Sequence, residues 1–252
     1  MLFVFMEKIN FKNSRGLTLV GDFYSVDSDS IVIMMHGFTG DRHEGGKFDR
    51  AAEELNKKGY AVLNFDFSGA GESDDDSLTV DKEVVDANCA IQYAQNKGFA
   101  KIGLLGMSLG GLVAAKVYDN RIKTIVFWAP VTQPKENPRA RYTAEQLQEL
   151  DEKGHITYTK DKGFRKTIII DKQMLEDRTT VDTEKILSHI KCPVLIIHGD
   201  ADTRVPLEGS KKAMQYLPLE SRLVIIPGAN HTFENHSGEL ISTTVDWFKK
   251  YL

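Results

Sequence analysis

Residues 103–111 read "GLLGMSLGG", with a single serine between glycines. The apolar run Ile102 to Leu105 predicts a buried strand, and Leu112 to Val117 predicts a helix that begins almost at once, so Ser108 falls on the turn between them. Glycine two residues before and two residues after removes the Cβ atoms that would collide in so sharp a reversal, and opens strained φ/ψ values to the backbone. Gly106-Met107-Ser108-Leu109-Gly110 therefore reads as a G-x-S-x-G nucleophile elbow. That reading requires a base, an acid and an oxyanion hole elsewhere in the chain.

Outward from the elbow, the pattern alternates. "FVFMEKINF" (3–11) and "LTLVGDFY" (17–24) predict a hairpin across Asn13 to Gly16. "IVIMMHG" (31–37) and "YAVLNFDF" (60–67) predict strands around a helix at 45–59, and 80–98 predicts another helix. After the elbow come a strand at 122–130, a strand at 192–200, a helix near 208–217, a strand at 221–228 and a last helix from about 238. Apolar strands alternating with helices predict an α/β fold with a mostly parallel sheet covered on both faces, whose ligands bind at the carboxyl ends of strands.

Residues 131–187 break this rhythm, dividing the chain into a core (1–130 and 188–252) and an inserted cap (131–187). Within the insertion, Thr143 followed by Gln146 predicts a capping box and Gly154 a helix end. "HITYTKDKGFRKTIII" predicts a hairpin turning at Asp161 to Gly163. The acidic residues Glu145, Glu149, Asp151 and Glu152 read as one solvated helix face. The aromatic and aliphatic residues Tyr142, Tyr158, Phe164 and Ile168 to Ile170 are expected to face a pocket or the core.

Length and charge narrow the function classes. A chain of 252 residues with 41% hydrophobic content is large enough for one sizeable core. A net charge of -4 leaves no basic footprint for nucleic acid. The N-terminal "MLFVFMEK" is too short and lacks the basic start of a signal peptide, so it reads as a strand, and no run approaches a membrane span. The expected location is cytoplasmic. Cys89 and Cys192 offer no disulfide framework and read as buried, inert thiols.

"HGDADTRVP" (198–206) follows an apolar strand and places Asp202 just past its end. "PGANHTF" (227–233) does the same for His231. Serine, aspartate and histidine in that chain order, each after a different strand, supply a nucleophile, an acid that fixes the imidazole and a base that takes the hydroxyl proton. Asp200 is the alternative acid. "HGFTG" (36–40) follows the third strand, and its backbone N–H groups together with the one after the nucleophile nominate Phe38 and Leu109 as oxyanion donors.

The set "HGFTG", "DFSGAGESD" (66–74), "GMSLGG", "HGDADTRVP" and "PGANHTF" resembles the α/β-hydrolase superfamily over nearly the whole chain outside the insertion. Within it the sequence is similar to small microbial carboxylesterases, including cinnamoyl (feruloyl) esterases, and to monoacylglycerol lipase and serine aminopeptidase-like groups. The resemblance implies Ser108 as nucleophile, Asp202 as acid and His231 as base, with Phe38 and Leu109 forming the oxyanion hole. Where that family has histidine in its "GHGxS" turn, this chain has Ala70. The expected activity is hydrolysis of carboxylic esters with apolar or aromatic acyl groups. Aminopeptidase or monoacylglycerol lipase-like hydrolysis and a receptor with little turnover stay open. No cofactor and no metal is expected, although His198, Asp200 and His231 are the residues a metal would use. The expected partner is a small-molecule ester, and a homodimer is compatible with the sequence.

Overall fold

Along Ser30–Met35, Ile31, Ile33 and Met35 enter one apolar cluster while Val32 and Met34 enter another. That is the period-two signature of a strand covered on both faces. In the computed structural model, which describes residues 5–252, this strand is β3 of an eight-stranded sheet. The others are β1 (Phe5–Lys12), β2 (Thr18–Ser25), β4 (Ala61–Phe65), β6 (Lys101–Met107), β7 (Ile122–Trp128), β10 (Val194–Gly199) and β11 (Arg222–Ile226). A second, three-stranded sheet contains β5 (Ser77–Leu78), β8 (His155–Thr159) and β9 (Thr167–Asp171). The large sheet runs β1-β2-β4-β3-β6-β7-β10-β11, antiparallel from β1 to β4 and parallel from β4 onward. Phe3 and Val4, read above as part of the first strand, lie outside the described residues.

Two helix pairs cover the faces. The helices α1 (Lys47–Lys57) and α8 (Ser237–Tyr251) pack on the Val32 side, and α2 (Val80–Asn96) and α3 (Leu109–Lys116) on the Ile31 side. In α1 the buried residues Phe48, Ala51, Ala52 and Leu55 recur at helical spacing, which gives the helix one apolar stripe. Trp128, fully buried at the end of β7, donates its indole N–H to Thr244 of α8 at 2.9 Å, so the site's sheet edge is tied to the last helix. Among the described residues no helix is long and apolar enough to cross a membrane. Both cysteines are free; Cys192 is buried, which pushes its thiol up to about 12, whereas Cys89 is only half-buried, against the expectation for both.

Residues 131–187 hold α4 (Ala144–Lys153), β8, β9, α5 (Lys172–Thr179) and α6 (Thr183–Leu187). The expected capping box of Thr143 and Gln146 is present, and Gly154 ends α4 at φ 77°. The hairpin of β8 and β9 also forms as expected. The short strand β5 and the helices α5 and α6 were not foreseen. Ile168 and Ile170 are buried with Leu78, Leu109, Leu112 and Val131, so this apolar run seats the insertion on the core. The hairpin tip is also tied down: Lys160 Nζ donates to the Thr39 carbonyl at 2.6 Å, and Arg165 bonds the Ser73 carbonyl and Asp75. A third apolar cluster thus joins residues 131–187 to the rest of the chain around the start of α3.

Candidate active site

The elbow glycines act through space. A Cβ at Gly106 would sit 2.4 Å from the Gly110 carbonyl oxygen, and a Cβ at Gly110 would sit 2.2 Å from the Met35 oxygen. Neither glycine has positive φ; Ser108 carries the strain itself at φ 53°, ψ -113°. The expectation that the glycines adopt the strained conformation is corrected accordingly: they let β6, β3 and α3 approach, and the approach forces the serine outward. The turn is clamped by Ser108 N–H on the Trp128 carbonyl and by Val131 N–H on the Ser108 carbonyl, both at 2.9 Å.

Strain is not confined to the serine. Among the described residues the non-glycine residues with positive φ are Thr39, Glu44, Ser108, Ala129 and Phe233. All of them lie in the segments that follow β3, β6, β7 or β11, along the carboxyl edge of the sheet, Glu44 at the start of a short 3-10 turn. Strain gathered at one edge and held by surrounding packing is a mark of a functional site.

The other predicted residues meet Ser108 there. His231 Nε2 lies 3.1 Å from Ser108 Oγ, and His231 Nδ1 lies 2.7 Å from Asp202 Oδ2. The carboxylate makes Nδ1 the protonated nitrogen, which leaves Nε2 to accept from the serine hydroxyl. Burial alone would raise the Asp202 carboxyl, but hydrogen bonds from His198 and His231, and from the Val205 N–H, hold it well below the usual carboxylate range. Its contribution to stability is therefore present above the ordinary carboxylate value and persists until pH falls through the lowered one. Asp200 is not brought to His231: its Oδ1 accepts the Gly228 N–H at 2.6 Å and braces the next loop. A Cβ at Gly199 would lie 2.0 Å from the Ala229 oxygen, so glycine there allows the two loops to touch.

His198 has a part that sequence reasoning missed. It is fully buried, and its Nε2 faces Asp202 Oδ2 at 3.2 Å and the Val205 carbonyl at 3.0 Å. Two acceptors place the proton on Nε2, so Nδ1 accepts from the Ser210 hydroxyl at 2.7 Å. The ring thus steadies the same carboxylate that His231 uses. His198, Asp200 and His231 do not converge as a metal set, because Asp200 turns away.

Phe38 and Leu109 both line a cavity of about 700 Å³ that contains Ser108 and His231. Among the described residues neither backbone N–H donates elsewhere, and Leu109, as the first residue of α3, has no helical acceptor for it. The Phe38 loop is held by His36, whose Nδ1–H donates to the Gly37 carbonyl at 2.9 Å while Nε2 accepts the Phe67 N–H at 3.2 Å. Tyr142, Tyr158, Met174 and Leu175 of the insertion add apolar and aromatic wall. Phe164 and Ile168 to Ile170 are not part of that wall. Phe164 instead stacks on His43 with ring centroids 5.1 Å apart and lies over the Arg42 guanidinium at 5.5 Å. None of Glu145, Glu149, Asp151 and Glu152 reaches the cavity.

The segment "DFSGAGESD" builds a charge cluster and not a substrate contact. Buried Arg42 donates to Asp22 at 2.9 Å and to Asp66 and Glu72 at 2.5 Å each. A Cβ at Gly71 would fall 2.1 Å from the Asp66 carboxylate, so that glycine makes room for it. Ala70, at the family's histidine position, is fully buried and outside the cavity. Asp22, His43 and Asp49 bring ligand atoms within 4.8 Å of one another. Arg42 already occupies Asp22 and His43 Nδ1 lies 2.7 Å from Asp49, so cations and hydrogen bonds use the donor set that a metal would need.

The chain is similar to known proteins over most of its length. The family described as serine aminopeptidase, S33 matches residues 27–237. The serine hydrolase BPHL of Mus musculus is 26% identical over 240 residues, spanning 88% of this chain and 80% of its own. ABHD12B of Homo sapiens is 26% identical over 238 residues, and the match covers 89% of this chain but 62% of that protein. Among solved structures, Est1E from Butyrivibrio proteoclasticus with ferulic acid bound shares the fold with a TM-score of 0.81 at 23% identity, over 96% of this chain and 98% of its own. The Pyrococcus furiosus esterase Pf2001 does so at 0.77 and 22%, over 98% and 92%.

Proposed function

The chain belongs to the serine aminopeptidase (S33) family of α/β-hydrolases, and from that premise we propose that it cleaves carboxylic esters through an acyl-enzyme intermediate. The observation that carries this reading is the continuous relay Asp202, His231, Ser108, with the serine strained outward into the cavity.

In the proposed reaction Ser108 Oγ attacks the ester carbonyl while His231 Nε2 takes its proton. The N–H groups of Phe38 and Leu109 receive the developing oxyanion, aided by the positive N-terminal end of α3. The C–O bond to the alcohol breaks, and the imidazolium returns its proton to the leaving alkoxide. Water, deprotonated by the same nitrogen, then attacks the acyl carbon and releases Ser108. Asp202 stays ionised throughout and stabilises the imidazolium.

Residues 131–187 act in this proposal as a cap that forms the substrate wall, with Tyr142 and Tyr158 suited to an apolar or aromatic acyl group. Est1E holds ferulic acid in the same fold, which supports an aromatic acyl as the first to try. The second reading, removal of an amino-terminal residue, has one observation behind it. Glu44 is the carboxylate among the cavity residues, and it could receive an ammonium, but its Oε1 already accepts the Gly37 N–H at 2.5 Å. A cytoplasmic setting fits the two free cysteines. Turnover of p-nitrophenyl and hydroxycinnamate esters, set against aminoacyl p-nitroanilides, tests the reading. Ester turnover with no anilide turnover is expected; the reverse would transfer the proposal to the aminopeptidase, and neither, in protein that folds, would favour a receptor.

A further inference from the structure

The chain carries a net charge of -4, yet the cavity at Ser108 is lined by Lys135, Arg141, Arg178 and Arg204 against the single carboxylate of Glu44. Four cations and one anion leave that wall at about +3, opposite in sign to the molecule. None of the four has a carboxylate within ion-pair distance among the described residues. Arg42 has three carboxylates and Arg15, Arg121, Arg139 and Arg165 each have at least one, while the arginines outside the cavity that have none, Arg50 and Arg222, are exposed; Arg178 differs from both in being half-buried without a counter-charge.

Arg178 is the most constrained of the four. It is half-buried on α5, and among the described residues its guanidinium meets one polar group, the Gln133 carbonyl at 3.5 Å. The Lys135 N–H donates to the Arg178 carbonyl at 2.8 Å, so the backbone of α5's end and the segment before α4 are joined where both cations enter the cavity. Burial without a counter-charge pulls the Arg178 guanidinium down to about 10. Arg141, exposed at the rim, lies over Phe38 at 5.1 Å and over Tyr142 at 5.6 Å, which places a second guanidinium beside the oxyanion loop with no hydrogen-bond acceptor from the described residues. A planar fork of donors held this way matches a carboxylate or phosphate.

We infer that the ester this site is built for carries an anionic group, a carboxylate or a phosphate, received by Arg178 with Arg141 and Lys135. The inference rests on the ester-hydrolase reading above and sharpens it. It also makes a substrate with a free ammonium the wrong sign for the wall.

The test uses two pairs of esters that differ in charge. On the alcohol side, 3-(butyryloxy)benzoate is paired with its neutral benzamide, and 3-(butyryloxy)phenyl phosphate separates phosphate from carboxylate. On the acyl side, monomethyl suberate is paired with dimethyl suberate. The protein is expected to prefer the anionic member of at least one pair in kcat/KM by about tenfold or more, the size of one charge-assisted hydrogen bond. That ratio should fall about tenfold in Arg178→Gln and, as a second variant, in Arg141→Gln, and it should shrink as salt is raised. Equal rates within both pairs, or a ratio unmoved by either variant, would overturn the inference and leave the esterase reading intact. If no ester is turned over, titration of Ser108→Ala protein with benzoate, suberate and inorganic phosphate decides. Binding lost in Arg178→Gln upholds the anion site, and no binding of any of the three overturns it, whereas the failure of all esters counts against the esterase reading instead.

Discussion

Arg42, in the loop after β3, is buried and donates to Asp22, Asp66 and Glu72 at 2.9, 2.5 and 2.5 Å; Arg178, on α5 of the insertion, faces the cavity with one carbonyl contact at 3.5 Å. The same contrast holds for the regions around them. In the strand-end loops the carboxylates near the reaction centre are answered: Asp202 accepts from two backbone N–H groups and faces two imidazoles, and Asp200 accepts from Gly228. In the insertion the cations that reach the cavity are unanswered. Burial alone would lower the Arg42 guanidinium, but Asp66, Glu72 and Asp22 outweigh it and hold it above its ordinary value, whereas nothing offsets burial at Arg178. Answered charges hold geometry. Unanswered ones, kept at a cost in stability, are available to a ligand.

Removing an answered charge should therefore be costly, and removing an unanswered one should not. The largest effect is expected at Asp202. Asp202→Asn should lower kcat by about four orders of magnitude, since an amide leaves His231 in the wrong tautomer. Asp200→Asn, which alters only a loop brace, should stay within about tenfold. Equal losses in the two would break the assignment of the acid.

Next in size is Arg42→Gln, which strands three carboxylates and should cost about 3–5 kcal/mol, seen as a fall of roughly 10 °C in Tm. A Tm within a degree or two of the parent would show that the cluster is not structural. Gly110→Ala, placing a methyl 2.2 Å from the Met35 oxygen, should cost about 2–3 kcal/mol by forcing β3 and α3 apart. The smallest effect is expected at Arg178. With the folded value pulled down to about 10, the unfolded chain holds this proton more tightly, so the charge costs stability at every pH below that value. Arg178→Gln should leave Tm unchanged or slightly raised at neutral pH, and a large fall would place Arg178 among the structural charges with Arg42.

Legibility in the sequence followed the range of the interactions. The capping box of Thr143 and Gln146 and the C-cap Gly154 were readable because they close within one turn of chain. Ser108, Asp202 and His231 were readable because each follows a recognisable apolar strand, and strand ends gather at one edge of a parallel sheet. The two partners that hold His198 against Asp202, Val205 and Ser210, depend on how a loop and α7 (Leu207–Ala213) fold back, and no spacing announces that. The two-residue strand β5 is too short to carry a period, and it pairs with β9 ninety-odd residues away. Arg178 was missed for a further reason: "DKQMLEDRTT" has no apolar stripe beyond Met174 and Leu175, so neither α5 nor the face it turns to the cavity could be read. Phe164, expected to face a pocket or the core, goes instead to His43 and Arg42, partners far away in the chain that no local spacing announces.

The account depends most on Ser108 being the nucleophile that the loops present. Peptide mass spectrometry after treatment with a fluorophosphonate is the most direct measurement. A single adduct at Ser108, absent from folded Ser108→Ala and formed much more slowly in Asp202→Asn, is the expected result; an adduct on another residue, or none in protein that is folded, would contradict it.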